Sequence, residues 1–270
     1  MFETRRPRNR VGSAFQMLEL IFHWTARELS QSHRHPAMAL LKQIFQTLLM
    51  ISVFYVMFNV MGMRKSAVRG DYMLYLMSGV FCFMVHVKAV SAVQKADGPT
   101  SPMVLHAPMN TMISIISVAL TDLYRQVVAA AVILGVYEAF TGNVVLDQPV
   151  PAVGMFILCW ASGCAVGILL WGLKPFLPAL TGMAITIYMR ANMVFSGKMF
   201  VANSLPGFMM PFFDWNPLFH IIDQLRGFVF LNYNPHFTSV SYPIYLSLAF
   251  VALGLLFQFY AGERAKGHPI

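Results

Sequence analysis

Charged residues are scarce in this sequence, at 11% of 270 residues, whereas hydrophobic residues make up 57%. A soluble globule of this size needs more polar surface than so few charges provide. The chain also lacks a GxxxxGK[ST] sequence, the loop that cradles nucleotide phosphates. These two absences exclude an ordinary soluble enzyme and indicate that the chain does not itself bind ATP in the usual way.

Cysteine is equally rare. Cys82, Cys159 and Cys164 all lie inside apolar runs, with no CxxC sequence and no histidine at ligand spacing. We therefore predict no metal site and no cofactor on this chain. Acids occur singly near the ends of apolar runs, and His33 with His35 belongs to a basic helix end, so no catalytic residues are predicted.

The formal net charge of +8 does not indicate nucleic-acid binding. Many basic residues precede residue 43, and the others flank apolar runs instead of forming a phosphate-binding surface. This distribution is typical of a membrane protein, so we expect membrane lipids and no nucleic acid as partners.

Apolar runs long enough to cross a bilayer are what the sequence does contain. About 20 apolar residues are needed to span a hydrocarbon core about 30 Å thick. Six runs qualify, at residues 37–61, 72–92, 111–138, 152–172, 176–196 and 242–261. The fold class predicted is an all-α integral membrane protein with six transmembrane helices. Asp122 and Arg125 in the third run are expected to form a local ion pair, and a mechanistic role is the alternative.

Basic residues set the predicted orientation. The N-terminal tail is rich in arginine, and Arg264 with Lys266 follows the last span, so both termini are expected in the cytoplasm. The loop between the third and fourth spans carries two acids and no Lys or Arg, as an external loop should. Arg64, Lys65 and Arg69 oppose this assignment, but the tail and first helix contain more basic residues than their loop does.

Residues 1–35 form the first predicted unit, a cytoplasmic tail followed by an amphipathic interfacial helix from Ser13. Gln16, Glu19, His23 and Arg27 recur at helical spacing, and the remaining surface is apolar. Such a helix lies on the membrane surface or packs on another protein, and both are compatible. Residues 36–270 form the second unit, the transmembrane domain.

Two segments of the second unit are not simple spans or turns. Residues 93–110 contain three prolines and a glycine, which cannot cross lipid with unsatisfied backbone, and by parity this connector is cytoplasmic. Residues 197–241, here called the hairpin segment, are apolar yet external by parity. Within them Asn216 is a helix cap and Pro217 suits the first helical position.

The predicted helix after Asn216 is amphipathic and, at about 14 residues, too short to span. His220, Asp223, Gln224 and Arg226 share its polar side. We interpret the segment as an external re-entrant helical hairpin between spans five and six, whose polar side faces a central path or a partner copy. A helix floating on the outer leaflet is the alternative.

Three sequence motifs carry a resemblance to a known family: "SGKMF" at 196–200, "LP" at 205–206 and "WNPLFHIIDQLRG" at 215–227. It resembles type 2 ABC exporter permeases, specifically the branch that exports capsular polysaccharide and lipopolysaccharide O-antigen across the bacterial inner membrane. The family usually has Glu at the position of Asp223 and a small or apolar residue at that of Lys198. The resemblance covers nearly the whole chain.

The resemblance implies a transport subunit, not an enzyme, that dimerises with a second copy of itself. It also implies two separate ATPase subunits, which bind ATP and Mg, and periplasmic or outer-membrane polysaccharide export proteins. The predicted contacts with the ATPase are the first helix and the 93–110 coupling segment, at Glu19, Arg27, Asp97, Pro99, Pro102 and His106. The predicted external gate helix contributes Trp215, Asn216, Pro217, His220, Asp223 and Arg226.

Sugar rings are held weakly by aromatic faces and hydrogen bonds that break at each step. The candidate lining of the path is Phe54, Tyr55, Phe58, Tyr188 and Phe195, with Arg190 attracting an acidic polymer or a lipid-linked phosphate. Lipid or packing contacts are the alternative for the aromatic residues, and snorkelling or a structural pair for Arg190.

We further expect Asp223 and Arg226 to hold the gate helix in position across the mouth of a dimer. Reversing either charge alone should then impair export, and reversing both charges should restore part of it. Two other functions stay open: a type 2 ABC permease for a small hydrophobic molecule or lipid, and an integral-membrane acyl or glycosyl transferase. A proton-coupled carrier would need an acid near mid-membrane, and the sequence offers none.

Overall fold

The computed structural model describes residues 10–31, 36–60, 62, 68, 70–96, 111–142 and 144–265. Within them the regular secondary structure is helical, without strands. The α-helices are α1 (Arg10–Gln31), α2 (Pro36–Val60), α3 (Tyr72–Gln94), α4 (Thr111–Thr141), α5 (Pro149–Leu173), α6 (Pro178–Phe195), α7 (Pro217–Val229) and α8 (Ser241–Ala265). Five of these, α2, α3, α4, α5 and α8, are long and apolar enough to cross a membrane. The chain is an all-helical, multi-pass membrane protein.

The fifth predicted span corresponds to α6, which is not among those five helices. Its 18 residues rise about 27 Å, slightly less than the hydrocarbon thickness. Arg190 and Asn192 lower its apolar character further. The described helices therefore establish five candidate spans where the sequence predicted six.

Helix α3 lies at the centre of the molecule, with 78% of its most apolar window buried. Its contact with α5 is close because α5 presents glycine there. A Cβ at Gly163 would lie 2.5 Å from the carbonyl oxygen of His86, and one at Gly167 would lie 2.8 Å from the Cβ of Val93. The GxxxG spacing thus brings the two helix backbones together.

Helix α8 lies at the periphery, with only 6% of its most apolar window buried. It packs against α5, where Gly172 and Gly254 meet backbone to backbone. Most of its surface is left for lipid or another chain.

The hairpin segment folds onto α3 and α5. Two short 3-10 turns, Ala202–Ser204 and Met210–Phe212, lead into α7. Asn216 caps α7 by accepting a hydrogen bond from the amide of Leu218 at 3.0 Å, as its position predicts. Leu218, Ile221 and Ile222 are fully buried, so α7 does not float on the surface of the chain.

Helix α1 packs along α4. Ser117 and Thr121 of α4 donate hydrogen bonds to the carbonyls of Ile21 and Thr25, both at 3.4 Å. Away from α4, α1 also leaves large apolar side chains exposed, among them Phe15 and Phe22. The first helix is amphipathic, and one of its sides packs against the transmembrane domain of the same chain. The basic tail before residue 10 lies outside the described residues.

Candidate functional site in the hairpin segment

Arg226 of α7 is fully buried at 0% exposure. Its Nη1 donates to the carbonyls of Gly197 at 2.9 Å and Phe200 at 2.6 Å, and its Nη2 donates to that of Lys198 at 2.6 Å. We call this group the arginine clamp. A buried guanidinium is costly unless its donors are satisfied. The loop carbonyls accept from Nη1 and Nη2, whereas Nε is buried without a partner among the described residues. The clamp fixes the chain that leaves α6 onto α7.

Helix α3 provides the other wall of the clamp. The ring of Tyr75 lies 4.1 Å from Cζ of Arg226, a cation–π contact. One turn further, Gly79 leaves the space that the clamp occupies. A Cβ there would lie 2.6 Å from the carbonyl oxygen of Lys198 and 2.7 Å from Nη2 of Arg226. Glycine is required at position 79 by close approach.

Asp223 ties the two arms of the hairpin segment to α7. Its Oδ1 accepts from the amide of Ala202 at 3.0 Å and from the hydroxyl of Tyr233 at 2.5 Å. Its Oδ2 accepts from the hydroxyl of Thr238 at 2.8 Å. Burial, and then the negative charge of Asp223, raise the pKa of Tyr233, so this hydroxyl stays a donor.

Asp223 and Arg226 do not form an ion pair with each other; among the described residues the carboxylates within ion-pair distance of a basic side chain are Glu19 and Asp214, each beside a histidine. Each side chain binds a different part of the hairpin segment instead. The polar side of α7 is therefore buried by its own chain. The amphipathic pattern correctly predicted which side of α7 is polar. It could not predict whether water or buried backbone lies against that side.

His220 and Trp215 complete the entrance to α7. Nε2 of His220 lies 2.8 Å from the carbonyl of Asp214, and its Nδ1 accepts from the amide of Ser239 at 3.1 Å. This assigns the ring proton to Nε2. Trp215 is 51% exposed and donates from Nε1 to the carbonyl of Phe212 at 2.7 Å. Trp215 is the most exposed of the residues predicted for the gate helix.

Lys198, which departs from the pattern of the family that the chain resembles, is a buried cation. Its Nζ lies 3.6 Å from the ring centroid of Phe83 and 5.1 Å from that of Phe54, and it donates to the carbonyl of Met193 at 2.8 Å. Burial lowers the pKa of Lys198 to about 7. The aromatic faces oppose that shift because they favour the ammonium form.

A second buried polar group, here the histidine hub, joins α3, α5 and α6. Nδ1 of His86 lies 2.9 Å from the hydroxyl of Ser162, and Nε2 lies 2.7 Å from the hydroxyl of Tyr188. The side chain of Asn192, which donates to the carbonyl of Tyr188, accepts from Asn216 at 2.9 Å. A polar chain thus runs from the core to the cap of α7.

Sequence reasoning missed His86 and Ser162, which stand alone in apolar runs. Their only signal is a polar residue inside an otherwise apolar span, where a buried partner is required. With both ring nitrogens occupied and no exposed surface, His86 is arranged to hold helices together.

The predicted path residues do not gather on one surface of this chain. Phe54 and Phe58 are buried in the core, at 5% and 9% exposure, whereas Tyr55 is exposed. Tyr188 belongs to the histidine hub. Arg190 is exposed on α6, and Phe195 packs against Phe213 and Trp215 at centroid distances of 5.5 and 6.2 Å.

Of the predicted ATPase contacts, the structure describes only those on α1. Glu19 and Arg27 are both exposed there. Glu19 lies 3.8 Å from His23, and Arg27 stacks over the ring of Trp24 at 4.7 Å. Asp97, Pro99, Pro102 and His106 lie outside the described residues.

Comparison with known proteins finds no family model that matches this chain, and no significant match among curated proteins.

Proposed function

We propose that this chain is the membrane-spanning permease subunit of an ATP-driven ABC exporter. Its cargo would be a capsular or O-antigen polysaccharide crossing the bacterial inner membrane. The observation that carries the proposal is the hairpin segment. Its motif residues, Arg226, Asp223 and Asn216, are all buried and all bind backbone or hydroxyl groups of that segment. Such an arrangement supports a rigid structure that closes one end of a membrane path.

The proposed topology has six spans, with α6 as the fifth and both termini in the cytoplasm. A helix of 18 residues spans when neighbours cover its polar groups, and Asn192 is buried and bonded to Asn216. The hairpin segment then lies on the external side. Mapping the termini and residue 203 with membrane-impermeant thiol reagents on single-cysteine variants tests this topology.

Energy would come from a partner, because the chain contains no phosphate-binding loop. Two ATPase subunits would dock on α1 and the 93–110 connector of a homodimer. The exposed apolar side of α1 and its exposed Glu19 and Arg27 are compatible with a peripheral partner. Periplasmic and outer-membrane export proteins would continue the path.

A glycan needs a path that binds it weakly at many positions. Tyr55 and Trp215 are the aromatic candidates with exposed rings, and Arg190 is the exposed cation on α6. Phe54 and Phe58 contribute to this path only through the shape of the core. A second copy of the chain would be needed to enclose the exposed residues.

Co-purification tests the partnership directly. The chain is expressed with a candidate ABC ATPase, and single cysteines at positions 19, 99 and 102 are tested for crosslinks to that ATPase. We expect crosslinks from positions 99 and 102 and none from the control position 231 on the hairpin segment. A functional complex without crosslinks from any of the three positions would contradict the coupling assignment.

A lipid or small hydrophobic molecule is the second candidate cargo, favoured by one observation. An apolar groove of about 280 Å³ lies between α3, α4 and α5, lined by residues such as Phe81, Val153 and Phe156. It suits an acyl chain. Stimulation of ATP turnover by lipids, without stimulation by glycans, would select this cargo. A membrane acyl or glycosyl transferase is the remaining alternative, and group transfer by the purified chain alone would select it.

A further inference from the structure

A second pocket lies away from the hairpin segment, between α2, α3 and α4. Its volume is about 320 Å³, and we call it the basic pocket. Four of its lining residues are basic, Lys42, Lys88, Lys95 and Arg125, and one is acidic, Asp122. Four cations against one carboxylate leave an excess of positive charge that calls for an anion.

The expected ion pair between Asp122 and Arg125 is not among those of the described residues. Nε and Nη2 of Arg125 are buried and have no hydrogen-bond partner among the described residues, and the same holds for Oδ2 of Asp122. Glu28 of α1 acts on Arg125 only as a nearby charge. A guanidinium with two unused donors beside a cavity is incomplete without an acceptor.

The walls of the basic pocket are fixed by polar contacts between helices. Nζ of Lys88 on α3 donates to Oε1 of Gln46 on α2 at 2.8 Å. Nε2 of Gln43 donates to Oε1 of Gln126 on α4 at 3.0 Å. These contacts join α2, α3 and α4 around the space that the cations line.

The basic pocket extends from the end of α3 into one leaflet. Lys42 lies within two turns of the start of α2, and Lys95 follows the end of α3. Helix α4 has 31 residues and rises about 46 Å, about 16 Å more than the hydrocarbon core, and Arg125 lies about 21 Å along it from Thr111. With the whole excess protruding at that end, Arg125 lies about 5 Å inside the hydrocarbon core, a distance that its long side chain can bridge towards a phosphate.

We propose that the basic pocket binds the phosphate group of an anionic headgroup between α2, α3 and α4, with Arg125 and Lys88 as its main ligands and Lys42 and Lys95 at its rim. This site is independent of the cargo and of the path under the hairpin segment. Bound there, the phosphate would join α2, α3 and α4 near the end of α3.

Lipid binding to the full-length chain tests the proposal. Purified protein in a neutral detergent is titrated with phosphatidylglycerol or phosphatidylcholine, and bound lipid is counted by native mass spectrometry. Tight binding of phosphatidylglycerol is expected, with little retention of phosphatidylcholine. If glycerol phosphate competes with the lipid, the site recognises a phosphate group whether or not an acyl chain is attached. If glycerol phosphate does not compete, the site requires a phosphate that is part of a lipid.

Charge-removing variants separate the site from general attraction to a basic surface. Arg125→Gln and Lys88→Gln should each weaken phosphatidylglycerol binding by about tenfold or more. The rim double variant Lys42→Gln/Lys95→Gln, which leaves buried groups intact, should weaken it as well. Lys174→Gln is the control, because Lys174 is exposed in the turn after α5. Equal binding by all variants, or equal binding of the two lipids, would overturn the proposal.

Discussion

Arg226 is held by three carbonyl oxygens and an aromatic ring instead of a carboxylate. Lysine carries the same charge, but its compact ammonium cannot reach three carbonyls from one fork. We expect Arg226→Lys to lower the free energy of unfolding by about 3 kcal/mol, the usual cost of breaking a buried charged network. Thermal unfolding in detergent should show a clear drop in melting temperature. Arg190→Lys, at an exposed site, should show little change, and equal melting of both variants would contradict the clamp.

The same contacts change the expected outcome of the charge swap. The sequence predicted that reversing both Asp223 and Arg226 restores part of the function lost by either reversal. In the structure the two groups bind different parts of the hairpin segment, so exchanging them gives both the wrong partners. We expect the double variant to be at least as impaired as either single variant in a glycan-export assay. Recovery in the double variant would show a direct pairing instead.

Gly79 offers a test that leaves every charge in place. Gly79→Ala would put a methyl group 2.6 Å from the carbonyl of Lys198, and we expect destabilisation by about 1–3 kcal/mol. Gly182→Ala is a matched control, since a Cβ at that helical glycine meets nothing within 4 Å. The control should melt no lower than the parent chain. A tolerated alanine at 79 would mean that the clamp is looser than the structure describes.

At the scale of helices, α6 is weakly covered by the rest of the chain, with only Thr181 and Asn192 buried along it. The histidine hub is one of its main attachments to α3 and α5. Tyr188→Phe removes the hydroxyl that pairs with His86 and should cost about 1 kcal/mol. Hydrogen exchange of the α6 amides should accelerate, while Tyr245→Phe on the exposed side of α8 should leave it unchanged. Unaltered exchange in Tyr188→Phe would show that the histidine hub does not stabilise α6.

The position of each helix could be read from the sequence, because apolar run length and caps are local properties. Asn216 and Pro217 predicted the start of α7 in this way, and both lie where expected. What lies opposite a side chain is not local. His86 finds Ser162 and Tyr188 from distant parts of the chain, and no periodicity could have paired them. For the same reason the polar side of α7 could be predicted but its burial against loop carbonyls could not.

At the scale of the whole molecule, the described surface is strongly apolar. Helix α8 is 6% buried in its most apolar window, and α2 is 28% buried in its own. Lipid or a second copy of the chain must cover these helices in the membrane. If a second copy does so, the hairpin segments of both copies together would close the external end of the path. A homodimer with Trp215 accessible from that end is the assembly we expect.

The central claim is a division between a membrane path and a separate motor. Reconstitution in vesicles with and without the co-expressed ATPase, followed by parallel measurement of ATP hydrolysis and glycan movement, tests it most directly. We predict that the chain alone does neither, and that both appear together when the ATPase is added with ATP. Nucleotide hydrolysis or glycan movement by the chain alone would contradict the account.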